Sequence, residues 1–401
     1  MLVFRVDSKI MRRKSMQKKI IALAVAAAFS APAFAEVTVY GVVDGLVASV
    51  SGDGQKSDMQ ALSGGLASSR IGIVGVEDLD NGMKAVAKVE YALDTETAGG
   101  IGNARQQMLA LAGGFGTFAT GYLQTTGYDW AVKFDPTAGS FVSPLQSMTR
   151  GGVFLVGSAT IAARAQRALA YISPDMNGLS FAVNYSTDTG AGATADSILG
   201  GAAYGGQTGL GNLGQPSTLA KDMKVPAYLV SVTYTGVPNL AVGGVIANAK
   251  LDALDAKIAD MALGASYDLT VAKLFATYQT TKLDITGASL GSSKAMSFSA
   301  VAPVGPGAVA FSYAKNTMDT NTWGTDASGS GLTVAWLQGL SKTTTLYAGL
   351  EKVSNGNNTK TFSVGNNALG GGAAAQGGLG VSTLNAGGSS QALFVGLNKK
   401  F

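Results

Sequence analysis

The 401-residue sequence contains no cysteine and no histidine, and only 13% of its residues are charged. Without cysteine, the chain has no disulfides, thiol nucleophiles or cysteine–zinc sites. Without histidine, it has no Ser-His or Cys-His catalytic pair and no imidazole metal ligands. The low charged fraction, together with 46% hydrophobic residues, is unlike an ordinary soluble enzyme. Acid–base chemistry would be left to carboxylates, Lys or Tyr, and we expect a protein that is not an enzyme and has no cofactor.

Long hydrophobic runs are also missing, because no apolar run after Ala35 reaches the roughly 18 residues that a membrane-spanning helix needs. The N-terminal segment instead combines seven basic residues, a short apolar run at 20–29 and the small-residue site Ala33-Phe34-Ala35. This pattern is typical of a secretory signal peptide. We expect cleavage between Ala35 and Glu36.

The signal peptide accounts for the excess of positive charge in the full chain, which is formally +4. Residues 1–35 carry seven of the 29 basic and one of the 25 acidic residues, so residues 36–401 have a net charge of −2. A nucleic-acid-binding function is therefore not indicated. The sequence predicts a removed signal peptide at 1–35 and a single domain at 36–401. The basic segment is long enough for translation to start at Met1, Met11 or Met16.

The rest of the chain alternates between apolar and polar residues with a period of two, the pattern of strands whose faces meet different surroundings. In 83–91, for example, Met83, Ala85 and Ala87 alternate with Lys84 and Lys88. Sixteen such segments, about ten residues each, have the length of tilted strands that cross a bilayer. They are predicted at 37–44, 70–75, 83–91, 104–113, 115–123, 163–172, 179–187, 226–236, 239–249, 258–268, 269–282, 294–302, 307–316, 330–338, 343–354 and 391–401.

Short turns and long polar connections alternate between these segments. The short turns carry Gly, Pro, Asn and Asp, as in Asp80-Asn81-Gly82. The long connections are predicted at 49–65, 94–103, 124–162, 188–224, 250–257, 283–293, 317–329 and 355–390. A soluble β-sandwich also shows alternation, but it seldom contains sixteen strands with loops lengthened on one side only. The pattern favours a transmembrane antiparallel β-barrel, which must close because lipid tolerates no open sheet edge.

Several motifs resemble the general diffusion porins of Gram-negative outer membranes, closest to the betaproteobacterial branch. They are Val37–Asp44, Ser69-Arg70-Ile71-Gly72, Glu77–Ala85, Gly113–Thr117 and the terminal Val395–Phe401. The resemblance implies an all-β, sixteen-stranded barrel with an inward-folded third extracellular loop. It also implies a homotrimer in outer-membrane lipid that lets ions and small hydrophilic solutes diffuse through a water-filled channel.

The terminal Phe401 has two interpretations. It extends the apolar series on one face of the last strand, which would place it against lipid. In the resembling family, a terminal aromatic strand ending in Phe is the signal read by the barrel-assembly machinery. We favour the second interpretation.

The resemblance also implies a basic wall at the narrowest point of the channel. Arg70, Arg105 and Arg164 match or fall near the family's wall arginines. Arg167 competes with Arg164, since odd spacing puts the two on opposite faces of a regular strand, and we favour Arg164. Lys84 and Lys88 lie on the polar face of their strand, so we expect both to point inward. Because rings or walls of charge set ion selectivity, we expect weak anion selectivity.

The connection at 124–162 corresponds by its order to the constriction loop of the family. It contains Asp129 and Asp135, with Trp130, Phe134 and Phe141 available to pin the loop against the wall. Acids on this loop that face the basic wall would create a transverse field. Both acids are equally compatible with local turn or loop capping, since Asp-Pro is itself a turn signal.

Other functions remain open at this point. A substrate-specific outer-membrane channel with a solute-binding constriction is the main alternative, and hairpins hidden in 188–224 and 355–390 would give it eighteen strands. A barrel enzyme is disfavoured by the absence of histidine. Loop acids such as Asp252, Asp255 and Asp260 could ligate calcium, but their spacing does not indicate a calcium loop.

Overall fold

The computed structural model describes most of residues 36–401. The described ranges are 36–54, 57–96, 100–151, 154–156, 163–189, 224–251, 255–285, 288–319, 328–357, 362–364 and 386–401. The predicted signal peptide and the residue before its cleavage site, Ala35, lie outside the described residues. So do the middle parts of the connections predicted at 188–224 and 355–390.

The described chain is built almost entirely of antiparallel strands. The strands are β1 Glu36–Gly52, β2 Asp58–Ser63, β3 Arg70–Asp78, β4 Lys84–Asp94, β5 Gly100–Gly113, β6 Gly116–Gln124, β7 Arg164–Ile172, β8 Leu179–Ser186, β9 Ala227–Tyr234, β10 Leu240–Leu251, β11 Ala256–Asp268, β12 Lys273–Ile285, β13 Ala288–Val304, β14 Gly307–Met318, β15 Ser328–Ser341, β16 Thr344–Asn355 and β17 Ser389–Lys400. Two helices, α1 Thr126–Phe134 and α2 Pro144–Gly151, lie between β6 and β7. Among the described residues, no helix is long and apolar enough to cross a membrane.

The strands form one closed barrel, because the first strand pairs with the last. One edge of β1 pairs with β17, from Val42 opposite Lys400 to Gly52 opposite Ser390. The other edge pairs with β2 in its second half and with β3 in its first half. β2 and β3 are therefore two halves of a single interrupted strand. The wall has sixteen strand positions, which confirms the predicted sixteen-stranded barrel.

The pairing also decides the alternative of eighteen strands. β8 pairs directly with β9, and β16 pairs directly with β17. In the described wall, no further strand therefore lies between β8 and β9 or between β16 and β17. The sixteen predicted segments correspond in order to β1 and β3–β17, while β2 was not predicted.

The two faces of the wall differ in polarity as the alternation predicts. On β17, Leu393, Val395 and Leu397 are exposed, whereas the intervening Phe394 and Asn398 are buried. Exposed valines, leucines and aromatics continue around the outside of the barrel. Such a surface suits lipid, and the closed hydrogen-bond ladder leaves no strand edge to be satisfied by water.

The short turns form where the sequence predicts them. Asn81, Asn177 and Asn239 adopt positive φ angles of 61°, 57° and 65° in the turns after β3, β7 and β9. Asparagine tolerates this left-handed region better than most residues, since its short side chain bonds locally.

The long-loop end of the barrel differs from the prediction. The described residues of the expected connections at 250–257 and 283–293 are mostly strand, since Leu251 pairs with Ala256 and Ile285 with Ala288. β1 likewise continues to Gly52 inside the expected connection at 49–65. These segments mix polar residues and glycine with the apolar ones, so the alternation that indicates a strand is weak although the ladder continues.

The connection between β6 and β7 packs against the opposite part of the wall. Thr125 caps α1 by accepting a hydrogen bond from the Tyr128 amide, and Ser143 accepts one from the Gln146 amide at the start of α2. α1 contacts strands from β8 to β12, and α2 contacts strands from β13 to β16. The connection forms hydrogen bonds with wall residues such as Glu351 and Asn316, which are buried. In the same strands, the side chains that alternate with these residues are exposed. The connection therefore lies on the face of the wall that is turned away from the apolar exterior.

Candidate functional site: a basic wall and the loop beside it

Glu90 on β4 lies at the centre of a group of charged side chains. Its Oε1 accepts a hydrogen bond from Arg105 Nε at 2.9 Å, and the side chain is only 5% exposed. A β-bulge brings Arg105 to this position, because Glu90 pairs with Gln106 and Tyr91 pairs with Ala104, which leaves Arg105 as the extra residue. Bulges redirect side chains in this way.

The second oxygen of Glu90 faces two more cations and a phenol. Arg70 Nε lies 3.8 Å and Lys88 Nζ 4.0 Å from Glu90 Oε2, which also accepts a hydrogen bond from Tyr40 Oη at 2.7 Å. Tyr40, Gly72 and Glu90 are cross-strand neighbours on β1, β3 and β4. A Cβ on Gly72 would lie 2.3 Å from Tyr40 Cζ, so the glycine leaves the gap across which Tyr40 reaches Glu90. We call Arg70, Lys88, Glu90 and Arg105 the wall cluster.

Arg164 connects the wall to the β6–β7 connection. Its Nη2 donates a hydrogen bond to Gln124 Oε1 at 3.4 Å, and its guanidinium lies 5.2 Å from the ring centroid of Tyr128 on α1. Gln124 Nε2 in turn donates to Asp129 Oδ1. The Gln124 side chain therefore lies between Asp129 and Arg164 and bonds both. Asp129 is exposed.

Arg167 has a different environment from Arg164. It adopts a φ of 47° in a bulge of β7, where two residues oppose the single residue between Gly121 and Leu123 of β6. Its exposed guanidinium pairs with Asp188. The regular spacing assumed for these two arginines is therefore interrupted, but their side chains do separate, and Arg164 is the one beside the loop.

The contacts of Asp135 are local, as the capping interpretation of this residue predicts. Its Oδ1 accepts hydrogen bonds from the Thr137 amide at 2.8 Å and hydroxyl at 2.6 Å, and its Oδ2 accepts one from Ser143 Oγ at 2.9 Å. The residue is fully buried within the connection, and this burial raises the pKa of its carboxyl, although the three hydrogen bonds oppose the shift. These contacts do not bring Asp135 to the wall cluster.

Lys84 does not join the wall cluster, contrary to the expectation. It lies at the start of β4, six residues from Glu90, which corresponds to about 20 Å along a strand. Its Nζ pairs with Asp78 Oδ1 at 2.7 Å across the short turn, and its side chain is 54% exposed. The period-two pattern placed Lys84 on the same face of β4 as Lys88. It contained no information on the position of Lys84 along the barrel axis, which we call its height.

Two aromatic residues of α1 dock on glycines of the wall. Trp130 Nε1 donates to the carbonyl of Gly243 at 3.3 Å. A Cβ on Gly243 would lie 2.9 Å, and one on Gly264 2.5 Å, from atoms of the Phe134 ring. Phe141, between the helices, is buried with Leu145 and Met148 against wall residues such as Val353 and Phe394.

Polar wall residues hold the rest of the connection. The Asp260 carboxylate accepts hydrogen bonds from the Leu155 and Val156 amides, the latter at 2.9 Å. Ser147 Oγ donates to Glu351 Oε1 at 3.1 Å, and Asn316 Nδ2 donates to the Met148 carbonyl at 2.9 Å. Asp260 is thus a buried wall residue of β11 and not the loop acid that the sequence suggested.

A closed sixteen-stranded wall with an apolar exterior, buried charged side chains and a helical connection packed against its other face is the architecture of a pore. A family model described as Gram-negative porin matches residues 22–358 of the chain. The chain belongs to the Gram-negative porin family. It is accordingly an outer-membrane channel protein and not an enzyme.

Individual relatives agree with this family. The porin is 29% identical to outer membrane porin protein 32 of Delftia acidovorans over 348 residues, which cover 85% of the chain and 90% of the relative. It is also 31% identical to the major outer membrane protein P.IB of Neisseria gonorrhoeae over 208 residues, or 47% of the chain and 53% of the relative.

Solved structures show the same fold. The porin aligns with an anion-selective porin from Comamonas acidovorans at a TM-score of 0.70 and 23% identity, covering 92% of the chain and all of the other chain. It aligns with Salmonella typhi OmpF in complex with daunomycin at a TM-score of 0.61 and 15% identity, covering 92% and 98% of the two chains. At these identities the likeness shows the fold alone.

Two members of the site were missed by sequence reasoning. Glu90 was recognised only as part of the polar face of its strand, and Tyr40 only as part of a motif. A signal for Glu90 was present, because it stands two residues after Lys88 and therefore shares its face. The link between Tyr40 and Glu90 depends on strand register across three strands, which one sequence does not reveal.

Proposed function

We propose that this porin is a weakly anion-selective channel for the passive diffusion of ions and small hydrophilic solutes. The wall cluster and the β6–β7 connection form its narrowest, charge-lined part. The observation that carries the proposal is the charge of this region. Four cationic side chains, Arg70, Lys88, Arg105 and Arg164, are accompanied by two carboxylates, Glu90 and Asp129.

The local balance matters more than the net charge of the chain. Charged clefts with low-dielectric walls focus the electric field, so a few fixed charges determine which small ions enter. These six side chains carry an excess of two positive charges, although residues 36–401 have a net charge of −2. Exposed charges elsewhere are screened beyond a Debye length of about 8 Å at physiological ionic strength. The porin from Comamonas acidovorans that shares this fold is described as anion-selective, which agrees with the anion preference proposed for this chain.

The roles of the two loop acids follow from their contacts. Asp129 is exposed beside Gln124 and Arg164, so it acts on permeating ions and moderates the anion preference. Asp135 is buried and bonded within the connection, so its role is to maintain the shape of the loop.

We further propose that the porin assembles as a homotrimer in outer-membrane lipid after removal of residues 1–35. One of the solved relatives, OmpT of Vibrio cholerae, is described in a trimer form and aligns at a TM-score of 0.60. Phe401 then serves as the signal that the barrel-assembly machinery reads.

Single-channel recording in a planar bilayer tests the channel itself. We expect conductance steps that grow in proportion to salt concentration, without concentration-dependent block by sugars, amino acids or organic anions. Saturable block by one solute class would instead support a substrate-specific channel with a binding site at the constriction. Conductance with strong cation preference would contradict the proposed selectivity.

A further inference from the structure

A short segment between β2 and β3 leaves the wall and reaches the β6–β7 connection. Ser63 of β2 pairs with Gly45 of β1, and Arg70 of β3 pairs with Val42, so six residues of one strand lie opposite two of the other. We call these residues, 64–69, the inserted turn. Its Gly65 carbonyl accepts a hydrogen bond from the Phe141 amide at 2.7 Å.

The inserted turn is held by the carboxylate of Asp44, a fully buried residue of β1. Asp44 Oδ1 accepts a hydrogen bond from the Gly65 amide at 2.9 Å, and Oδ2 accepts bonds from the Leu66 and Ala67 amides at 3.0 Å each. Three successive backbone amides therefore converge on one carboxylate, an arrangement that favours a negative charge.

The same carboxylate also bonds residues of the last two strands, across the seam where β1 pairs with β17 and closes the barrel. Tyr347 Oη of β16 donates to Asp44 Oδ1 at 2.6 Å, and Asn398 Nδ2 of β17 donates to Oδ2. Gly65 must be a glycine here, because a Cβ would lie 1.7 Å from Tyr347 Oη. Asp44 thus ties the first strand, the two last strands and the inserted turn together.

Both sides of the constriction are attached to this centre. Ser69, bonded through its hydroxyl to the Asp44 backbone, directly precedes Arg70 of the wall cluster, and Arg70 Nη1 donates to the Ser68 carbonyl at 2.9 Å. On the other side, Phe141 lies between the two loop helices and bonds Gly65.

We propose that Asp44 is a positioning residue that sets the distance between the wall arginines and the constriction loop. It acts through the inserted turn and does not touch the permeating ions. This inference rests on the proposed constriction. It adds a residue through which the selectivity of the channel is maintained.

Because the chain has no cysteine, a single spin label on the loop reports the predicted movement. A cysteine at Pro136, an exposed loop residue, carries the label, and a second protein labelled at Val232 on the outside of β9 serves as the reference site. We expect Asp44→Asn to convert the immobile spectrum at 136 into a mobile one and to leave the spectrum at 232 unchanged. In Asp44→Asn an amide NH₂ group replaces one carboxylate oxygen. This group donates hydrogen bonds and cannot accept them, so it would face donors without a bond.

Two further variants separate positioning from a general loss of stability. Ala67→Pro removes one amide donor from the inserted turn and leaves the bonds of Tyr347 and Asn398 intact, so it should also mobilise the label at 136. Tyr347→Phe removes one seam donor and keeps the ring, so the label should stay largely immobile. If Asp44→Asn does not fold, Ala67→Pro alone tests the inference. A label that stays immobile in Asp44→Asn and Ala67→Pro would overturn it.

Recording from the same variants distinguishes this inference from the proposed function. A mobilised loop with increased current noise and a reversal potential closer to zero supports both. A mobilised loop in a channel whose unmodified form prefers cations supports the role of Asp44 and overturns the proposed selectivity. Anion preference that persists with an immobile loop in Asp44→Asn keeps the proposed function and overturns the role of Asp44.

Discussion

Among single residues, Glu90 determines how the wall cations are arranged. Four cations in a confined space would repel one another, and a carboxylate between three of them reduces that repulsion. It also fixes the orientation of Arg105 through a 2.9 Å charge-assisted hydrogen bond. The wall cluster keeps a positive excess because it places one carboxylate, Glu90, among three cations.

Replacement of Arg105 by Gln should weaken the anion preference, because it removes one positive charge and leaves Glu90 with fewer partners. Lys84→Gln is the matched control, since it removes the same charge from the same wall at the exposed short-turn end. The reversal potential under a KCl gradient should move toward the cation side in the first variant and stay near the unmodified value in the second. Equal shifts would show that height along the barrel does not matter.

Replacement of Asp129 by Asn should strengthen the anion preference, since Asp129 is exposed next to the cations. Asp135→Asn should leave the preference unchanged, because that carboxylate is buried in the loop. Burial raises the Asp135 pKa, so ionisation of this carboxyl opposes folding. In Asp135→Asn the amide oxygen can keep both bonds from Thr137, and the Ser143 hydroxyl can turn to accept from the amide nitrogen, so thermal stability at pH 7 should not fall. Reversal potentials and thermal unfolding of both variants check these expectations. A larger selectivity change in Asp135→Asn than in Asp129→Asn would contradict them.

The sequence predicted the residue types of the site better than their heights and registers. Arg70, Arg105, Arg164 and Lys88 all lie within the charged region that the structure describes. Lys84 was placed there by face alone, and its position near the short turn separates it. The bulges at Arg105 and Arg167 change which way a side chain points without leaving a mark in the period-two pattern.

Among the elements, α1 shows how a long connection can be fixed against a wall of strands. The Phe134 ring fits over Gly243 and Gly264, two cross-strand neighbours on the inner face of β10 and β11. The missing Cβ atoms create the space that the ring fills, and Trp130 adds a hydrogen bond to the wall. Close contact of this kind stabilises the loop in one position.

Gly264→Val should displace Phe134 and loosen α1, because the added side chain overlaps the ring. Overpacking of this kind costs about 1–3 kcal/mol. Gly244→Val is a suitable control. Gly244 is next to Gly243 in sequence, but a side chain added there would meet the exposed Leu263 and not Phe134. We expect the first variant to increase current noise and the second to record as the unmodified channel. Quiet recordings from Gly264→Val would show that this contact does not position the loop.

The strands and short turns were predictable because lipid imposes the alternation and tight turns require particular residues. The aromatic anchors of α1 were also predictable as a set. The two helices, the extended ladders at the long-loop end and β2 were not. The ladders and β2 lack a clear apolar alternation, and the helices pack against strands that are distant in sequence. The inserted turn depends on contacts between Asp44 and residues up to 354 positions away, which a single sequence does not show.

In the whole molecule, the two ends of the described chain meet at the closing seam. The Phe401 amide donates to the Gly41 carbonyl at 3.2 Å, and a Cβ on Gly41 would lie 2.2 Å from Phe401 Cζ. The Phe401 ring therefore rests on a glycine of the first strand and is still 55% exposed. This geometry is compatible with both interpretations of Phe401, as a lipid-facing aromatic and as an assembly signal.

Deletion of Phe401 should lower the amount of assembled trimer in the outer membrane. Refolding into detergent should be less affected if the residue is read by the assembly machinery, since no machinery is present there. Gly41→Val keeps Phe401 and disturbs only its packing, so it should spare assembly in cells more than the deletion does. Normal assembly without Phe401 would contradict its role as a signal.

The charge of the whole molecule gives the sharpest contrast with the charge of its site. Residues 36–401 are slightly acidic, whereas the group formed by Arg70, Lys88, Arg105, Arg164, Glu90 and Asp129 has two more cations than carboxylates. If selectivity followed total charge, the channel would favour cations. If it follows the narrowest point, the channel favours anions.

The zero-current potential of the unmodified porin across a planar bilayer under a KCl gradient decides between the two most directly. We predict the sign produced by chloride passing more readily than potassium, with a modest magnitude. A clearly cation-selective sign would contradict the assignment of Arg70, Lys88, Arg105 and Arg164 as the charges that control permeation.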